Sequence, residues 1–239
     1  MKPIFMLLSL MILFRGNAQN MDAQNIIDAC IEKHGGNKYN DAHYAYDFRK
    51  NHYEYHYNNG DFRYEQHSKD GKTKDVLTNN GFKRTIDGKE IELPEKKLKA
   101  YSNSVNSVHY FVFLPYFLND AAVNKKLVGE STIKGKNYYK IEVTFDQEGG
   151  GDDHDDVHMY WVNKEDYSMD YMAYSFFVNG GGVRFREAYN KRNVGGIIFQ
   201  DYINFKHDKE TPLTELDALY EENKLTQVSK IDLVNIVKL

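Results

Sequence analysis

The chain has 239 residues and a formal net charge of −4, with nineteen Tyr and fourteen Phe against one Trp and one Cys. An acidic chain without a concentrated Lys/Arg face has no electrostatic reason to seek phosphate backbones, which excludes nucleic acid as an expected partner. The single Cys excludes an internal disulfide, and a chain this long buries enough surface to fold without one.

Residues 1–18 read as a leader rather than as part of the fold. Lys2 gives a positive start, Ile4 to Phe14 is an eleven-residue apolar run, and Gly16 and Ala18 are small residues at the −3 and −1 cleavage positions. Eleven apolar residues fall short of the ~20 that a helix needs to span a bilayer. Cleavage is expected before Gln19, although Arg15 blurs the exact cut, and an uncleaved signal anchor is the competing reading. Loss of Lys2 and Arg15 takes the formal charge to −6. No Cys follows the cleavage site to carry a lipid anchor, and no later segment approaches spanning length. The expectation is one exported domain over residues 19–239, periplasmic or secreted and not membrane-spanning.

Asp22 to His34 reads as an amphipathic helix. Ala23, Ile26, Ile27, Cys30, Ile31 and His34 form one stripe, and Gly35-Gly36 ends it. Cys30 on that stripe points to a packed, inert thiol. From Asn40 to Leu93 the period switches to two. Tyr44, Tyr46 and Phe48 alternate with polar or small residues, as do Tyr53, Tyr55 and Tyr57, and then Phe62 and Tyr64 after an Asn59-Gly60 turn. This predicts a meander with one aromatic and one solvated face. Pro94 opens a second helix, with Leu98, Tyr101, Val105, Val108, His109 and Val112 on a stripe that Tyr110, Phe111 and Phe113 widen until the helix is apolar nearly all round. Such a helix must be covered. Pro115 breaks it. Longer strands follow: Tyr139 to Phe145, Val157 to Val162, Met169 to Val178, Val183 to Ala188 and Ile197 to Phe205. A short helix (Glu215 to Glu222) and a last strand (Ile231 to Val237) close the chain. About a dozen antiparallel strands with two substantial helices make a mainly β, α+β fold, too β-rich for a doubly wound nucleotide fold.

Each chemical motif has a plain structural reading beside the functional one. The Tyr rows pack a sheet well, yet a buried Tyr hydroxyl needs a partner, so Tyr44, Tyr46, Tyr53 and Tyr55 equally suit the wall of a partly filled concavity. The run Glu148 to Asp156, with His154 and His158, offers carboxylate and imidazole donors. Asp153, Asp156, His154 and His158 are the candidate metal ligands, but the spacing is not a calcium-loop pattern and a row of like charges usually marks a solvated hairpin tip. Arg184 and Arg186 share a strand face. Asp201, between Phe199 and Ile203 on an apolar side, demands a partner, which Arg49, Arg184 or Arg186 would supply either as a structural ion pair or as part of an anionic-headgroup site. His34 suits a helix C-terminus, and His52 and His56 fall on the solvated face. No nucleophile elbow, phosphate-cradling loop, dinucleotide fingerprint or His-Glu-x-x-His zinc metalloprotease motif is present. No catalytic residue and no cofactor is assigned.

The segments Ile26 to Gly36 (IIDACIEKHGG), Tyr46 to Arg49 (YDFR), Ser104 to Asp120, Thr144 to Asp156, Tyr160 to Asn163 (YWVN) and Arg184 to Asn190 (RFREAYN) resemble an uncharacterised family of secreted proteins and lipoproteins from Bacteroidetes-type bacteria. A helix ending in His-Gly-Gly before a long meander is similar to the lipoprotein-carrier half-barrels of LolA and LolB type. That resemblance implies a single curved antiparallel sheet wrapped around one or two helices, enclosing a cavity for acyl chains. Many relatives carry a lipid-anchor Cys that is missing here. The expected ligand is a lipid or small hydrophobic molecule, with Tyr44, Tyr46, Tyr53, Tyr55, Tyr110, Phe111 and Phe113 as cavity walls and Arg49, Arg184, Arg186 and Asp201 as polar contacts. A metal-dependent enzyme on the acidic loop and an envelope interaction module are the rival readings.

Overall fold

A row of rings on alternate strand positions is buried only if another layer lies over it, and here helices supply that layer. The computed structural model describes residues 22–151, 154–177 and 180–239. The expected leader lies outside these residues, as do Asp152 and Asp153 of the acidic run and the pair Val178-Asn179. No helix of the described residues is long and apolar enough to cross a membrane.

The first helix, α1, spans Ala23–His34. The Asp22 carboxylate accepts the Asn25 backbone N–H at 2.8 Å, capping its start, and the Gly35 N–H donates to the Ile31 carbonyl at its end. The expected stripe is the buried one, with Ile26, Ile27 and Cys30 fully enclosed. Six strands follow: β1 (Asp41–Phe48), β2 (Asn51–Asn58), β3 (Asp61–His67), β4 (Thr73–Thr78), β5 (Gly81–Ile86) and β6 (Lys89–Glu90). Asn59 and Gly60 both take positive φ, 46° and 102°, as the tight β2–β3 hairpin requires. Helix α2 (Glu95–Val112) comes next, then β7 (Val123–Ile133), β8 (Lys136–Phe145), β9 (His158–Asn163), β10 (Met169–Phe176), β11 (Gly182–Val194) and β12 (Ile197–His207). The chain ends with α3 (Leu216–Glu221), β13 (Thr226–Ile231) and β14 (Leu233–Lys238).

These strands form two seven-stranded antiparallel sheets. The first runs β14-β1-β2-β3-β4-β5-β6 and the second β13-β12-β11-β10-β9-β8-β7. Neither closes, so the architecture is mainly β with unclosed sheets and few helices. The expected single sheet is divided, because the last strand is broken: the tail over Ile231 to Val237 is not one strand but the end of β13 and most of β14. β13 pairs with β12 and β14 with β1, so one extended tail hands the ladder from one sheet to the other at Asp232.

Three apolar clusters fill the layers. The Tyr row of the first sheet packs on the second half of α2, the inner face of the second sheet packs on α1, and its outer face is covered by Leu213, Leu216 and Tyr220 around α3. Burial of α2 is confined to that second half. Leu98 near its start is 39% exposed, whereas Val105, His109, Val112 and Phe113 are enclosed.

Asp201 locks the handover between sheets. Its carboxylate accepts the Leu233 backbone N–H at 2.9 Å, the Arg192 guanidinium at 3.0 Å and the Asn190 amide at 2.6 Å. Arg192 also donates to the Leu233 carbonyl at 2.5 Å. The expected mates Arg49, Arg184 and Arg186 are not used. An irregularity in β11 between Tyr189 and Arg192 shifts the register and brings Arg192 to this carboxylate instead. Removing the acceptor strands a guanidinium and a strand N–H in a largely dry place. Asp201→Ala is therefore expected to lower the unfolding free energy by about 3 kcal/mol, and Asp201→Asn by less. Urea unfolding at constant m-value checks it; a loss under ~1 kcal/mol would remove Asp201 from this role.

Candidate functional site

α2 meets the two sheets differently. Over β1 to β3 of the first sheet its second half is packed ring on ring, and a smaller pocket of about 320 Å³ remains at its start, between Leu98 and Phe82 to Arg84 of β5. Phe113 stacks on Tyr55 with centroids 3.6 Å apart, Tyr55 stacks on Tyr64 at 5.0 Å, and Tyr46 stacks on Tyr53 at 5.5 Å. His109 stands among these rings with none of its surface exposed. Its Nε2 faces the Glu65 carbonyl at 3.3 Å and its Nδ1 the Tyr46 hydroxyl at 2.7 Å. A carbonyl only accepts, so Nε2 carries the proton and Nδ1 receives the Tyr46 hydroxyl. Tyr44, Tyr46, Tyr53, Tyr55 and Phe113, expected as cavity walls, are thus packing residues: the helix side chains fill the aromatic face.

Over the second sheet a gap remains. A cavity of about 400 Å³ lies between the last turns of α2 and the inner face of β8 to β11. Strand register builds its floor. His158 and Tyr160 of β9 lie opposite Tyr174 and Met172 of β10, and Met172 lies opposite Arg186 of β11. These alternate positions face the same way, toward Tyr110, Phe111 and Leu114 at the end of α2. Phe48 and Arg49 at the β1–β2 turn and Ile231 at the end of β13 complete the wall.

Of the residues singled out in the sequence, the structure brings Arg49, Tyr110, Phe111, Asp156, His158 and Arg186 to this one cavity. Arg184 does not line it; its guanidinium lies over Phe176 at 4.9 Å and donates to the Val183 carbonyl. Asp201 is held in the strand handover, and Asp153 lies outside the described residues. His154 is turned to the Gly151 carbonyl at 3.1 Å and does not line the cavity with His158. Phe145, Tyr160, Met172 and Tyr174 escaped sequence reasoning. Their signal was present as alternation in the later strands, but the denser Tyr rows of the first half outshone it.

The polar lining comes from both sides: Asn103, Asn106 and Ser107 of α2 face Asp156, His158 and Arg186 of the second-sheet side, with Arg49 at the rim. The Arg186 guanidinium carbon lies 4.6 Å from the Phe111 ring centroid and 4.9 Å from that of Tyr174, and one of its nitrogens donates to the Tyr174 hydroxyl at 3.0 Å. His158 stacks between Tyr160 and Tyr174. Burial and the positive charge of Arg186 bring its pKa down to about 4, so it is neutral at pH 7. Three buried atoms here have no hydrogen-bond partner among the described residues: Tyr110 Oη, His158 Nδ1 and Arg186 Nε.

One donor cluster of metal-binding size among the described residues lies elsewhere, at Glu54, Glu65 and His67. Burial raises the Glu65 pKa, but bonds from His67, Lys74 and Arg63 outweigh it and bring the pKa to about 2. Three cationic or donor groups already hold this carboxylate, which makes the cluster an ion-pair knot. Cys30 is fully enclosed, and burial pushes its thiol well above the ordinary range, which fits packing rather than nucleophilic chemistry.

The model of a family of unknown function, DUF6503, matches residues 2–233. No curated protein matches the chain in sequence. Two solved structures share its fold. A LolA superfamily protein from Nitrosomonas europaea is 12% identical with a TM-score of 0.52, over 91% of this chain and 93% of that one. A DUF1329 family protein from Desulfovibrio piger is 11% identical with a TM-score of 0.54, over 90% and 92%. At such identities the likeness establishes the fold, which is LolA-like.

The enclosed histidines make stability depend on pH. Burial, aided by Lys191, brings the His34 pKa down to about 4, and burial brings that of His109 to about 3. The unfolded chain takes up these protons below about pH 6.5 and the folded chain does not. Their contribution is complete above pH 6.5 and is lost as the pH falls toward 4 and 3. Between pH 7 and 5 each is expected to cost ~2 kcal/mol of unfolding free energy. Denaturant melts at the two pH values measure this, and a flat profile would contradict it.

Proposed function

The chain belongs to the DUF6503 family, whose function is unknown, and from that premise and its LolA-like fold we propose that it is an exported envelope protein that binds a lipid or similar hydrophobic ligand without catalysing a reaction. It acts as a carrier or sensor in the periplasm or outside the cell, delivered there by the leader over residues 1–18. The observation that carries this reading is the cavity of about 400 Å³ under the end of α2, with its mainly apolar walls and a set of polar groups that includes Arg49, Asn103, Asn106, Asp156 and Arg186. Small-molecule sites have that composition and run from roughly 300 to 1,000 Å³.

The volume lies near the lower end of that range, which suits one alkyl chain or a ligand of similar bulk. Phe48, Leu114, Phe145, Met172 and Ile231 supply the greasy surface. Each buried methylene contributes ~0.8 kcal/mol, so ten give ~8 kcal/mol before the cost of association. An association cost of roughly 4 kcal/mol leaves about 4 kcal/mol, near millimolar, for ten methylenes alone, so tighter binding draws on the polar groups of the lining. Because the aromatic face of β1 to β3 is filled, the ligand is held between α2 and the second sheet, with Phe48 and Arg49 of the β1–β2 turn at one side.

Native mass spectrometry of gently purified protein, with titration of a fluorescent fatty acid, tests the reading. Saturable uptake near 1:1 is expected. Met172→Trp, which fills the cavity from its floor, should weaken uptake at least about tenfold while the protein stays folded, at a cost of ~1–3 kcal/mol in stability. A clean ligand-free mass together with no uptake would sink the proposal.

A further inference from the structure

The polar atoms of the cavity go beyond what a neutral hydrocarbon needs. Arg186 cannot shed its charge, it is half-buried between two rings, and among the described residues its one hydrogen bond to another side chain goes to the neutral Tyr174 hydroxyl. No described carboxylate forms an ion pair with it. A guanidinium in such a place ordinarily has an anionic partner, because taking a charge out of water is costly unless it is matched. Tyr110 Oη, also buried and without a partner among the described residues, lines the same cavity from α2. Arg49, exposed at the β1–β2 turn and lying 5.1 Å over Phe48, adds a second positive charge to the lining.

We infer that the cavity takes a single-chain amphiphile carrying one compact, singly charged anionic group, which Arg186 receives with the Tyr110 hydroxyl beside it. This assignment rests on the cavity being a ligand site and names the class of ligand it takes. Charge sets the limit at one. Asp156 lines the same cavity and offsets one of the two positive charges of Arg49 and Arg186, so a second negative charge on the head meets repulsion. Contact with the Phe111 and Tyr174 rings restricts the Arg186 side chain, and its planar fork suits a two-oxygen acceptor such as a carboxylate. The alkyl chain then lies against Leu114, Met172 and Ile231.

Displacement of a neutral fluorescent probe from the full chain by dodecanoate, dodecan-1-ol and dodecyl phosphate tests this at pH 7. Dodecanoate is expected to bind at least about tenfold tighter than the alcohol, the advantage of a charge-assisted pair, and tighter than the more highly charged phosphate. Arg186→Met should bring the acid-to-alcohol ratio close to one while leaving alcohol binding within about twofold. Arg49→Asn, at a turn whose φ of 55° Asn tolerates, should weaken dodecanoate by about threefold and flatten its salt dependence without disturbing the fold. Alcohol that binds as tightly as the acid to the unmodified protein overturns the charged-head assignment but leaves the hydrophobic site standing. Dodecyl phosphate that outbinds dodecanoate overturns the limit of one charge. Failure of all three to displace the probe, with no direct uptake, overturns the site itself.

Discussion

The seating of α2 on the first sheet is the constraint on which the rest of the molecule depends. His109 bridges strand and helix with both ring nitrogens engaged, and Phe113 lies flat on Tyr55. A neutral imidazole satisfied on both sides fixes the height and rotation of the helix over β1 to β3 more narrowly than apolar contact alone. Once that half of α2 is fixed, Tyr110, Phe111 and Leu114 must point away from the first sheet and toward the second. The gap there follows from the lever of a helix pinned on one side.

This arrangement divides the aromatic residues by task. Rings of the first sheet stack in pairs and make a dry, rigid wall, with hydroxyls such as Tyr44 and Tyr53 reaching partners at its margin. Rings of the second sheet enclose Arg186 and His158 and leave space between them. Tyr serves both tasks because it combines a large apolar face with a polar tip.

The handover at Asp232 serves the same end. Splitting the curved wall into two ladders allows the second sheet to turn its inner face toward α1 and α2 while its outer face takes α3. The joint is held by a carboxylate rather than by apolar packing, because a strand that leaves one ladder for another exposes backbone groups that need partners. Asp201 accepts from the Leu233 N–H that would otherwise lack one. A carboxylate that reads in the sequence as a candidate headgroup contact is in fact part of the frame.

Much of this was legible along the chain. The stripe from Ala23 to His34, the Tyr alternation of β1 and β2, the turn at Asn59-Gly60 and the start of α2 after Pro94 are local signals. Backbone period and turn geometry act over a few residues, so the antiparallel, β-rich class could be read directly. The cavity was legible only in part. Arg186, His158, Tyr110 and Phe111 were marked by being polar on an apolar face or apolar on every face. The choice between a filled Tyr row and an open second sheet was not, because both carry the same period-two pattern. Which row the helix covers depends on side chains that meet across more than sixty residues of sequence, as Tyr46 meets His109. The alternation of residues therefore determined what kinds of surface this protein has, and only the packing of α2 between two sheets decided which surface is closed and which remains open.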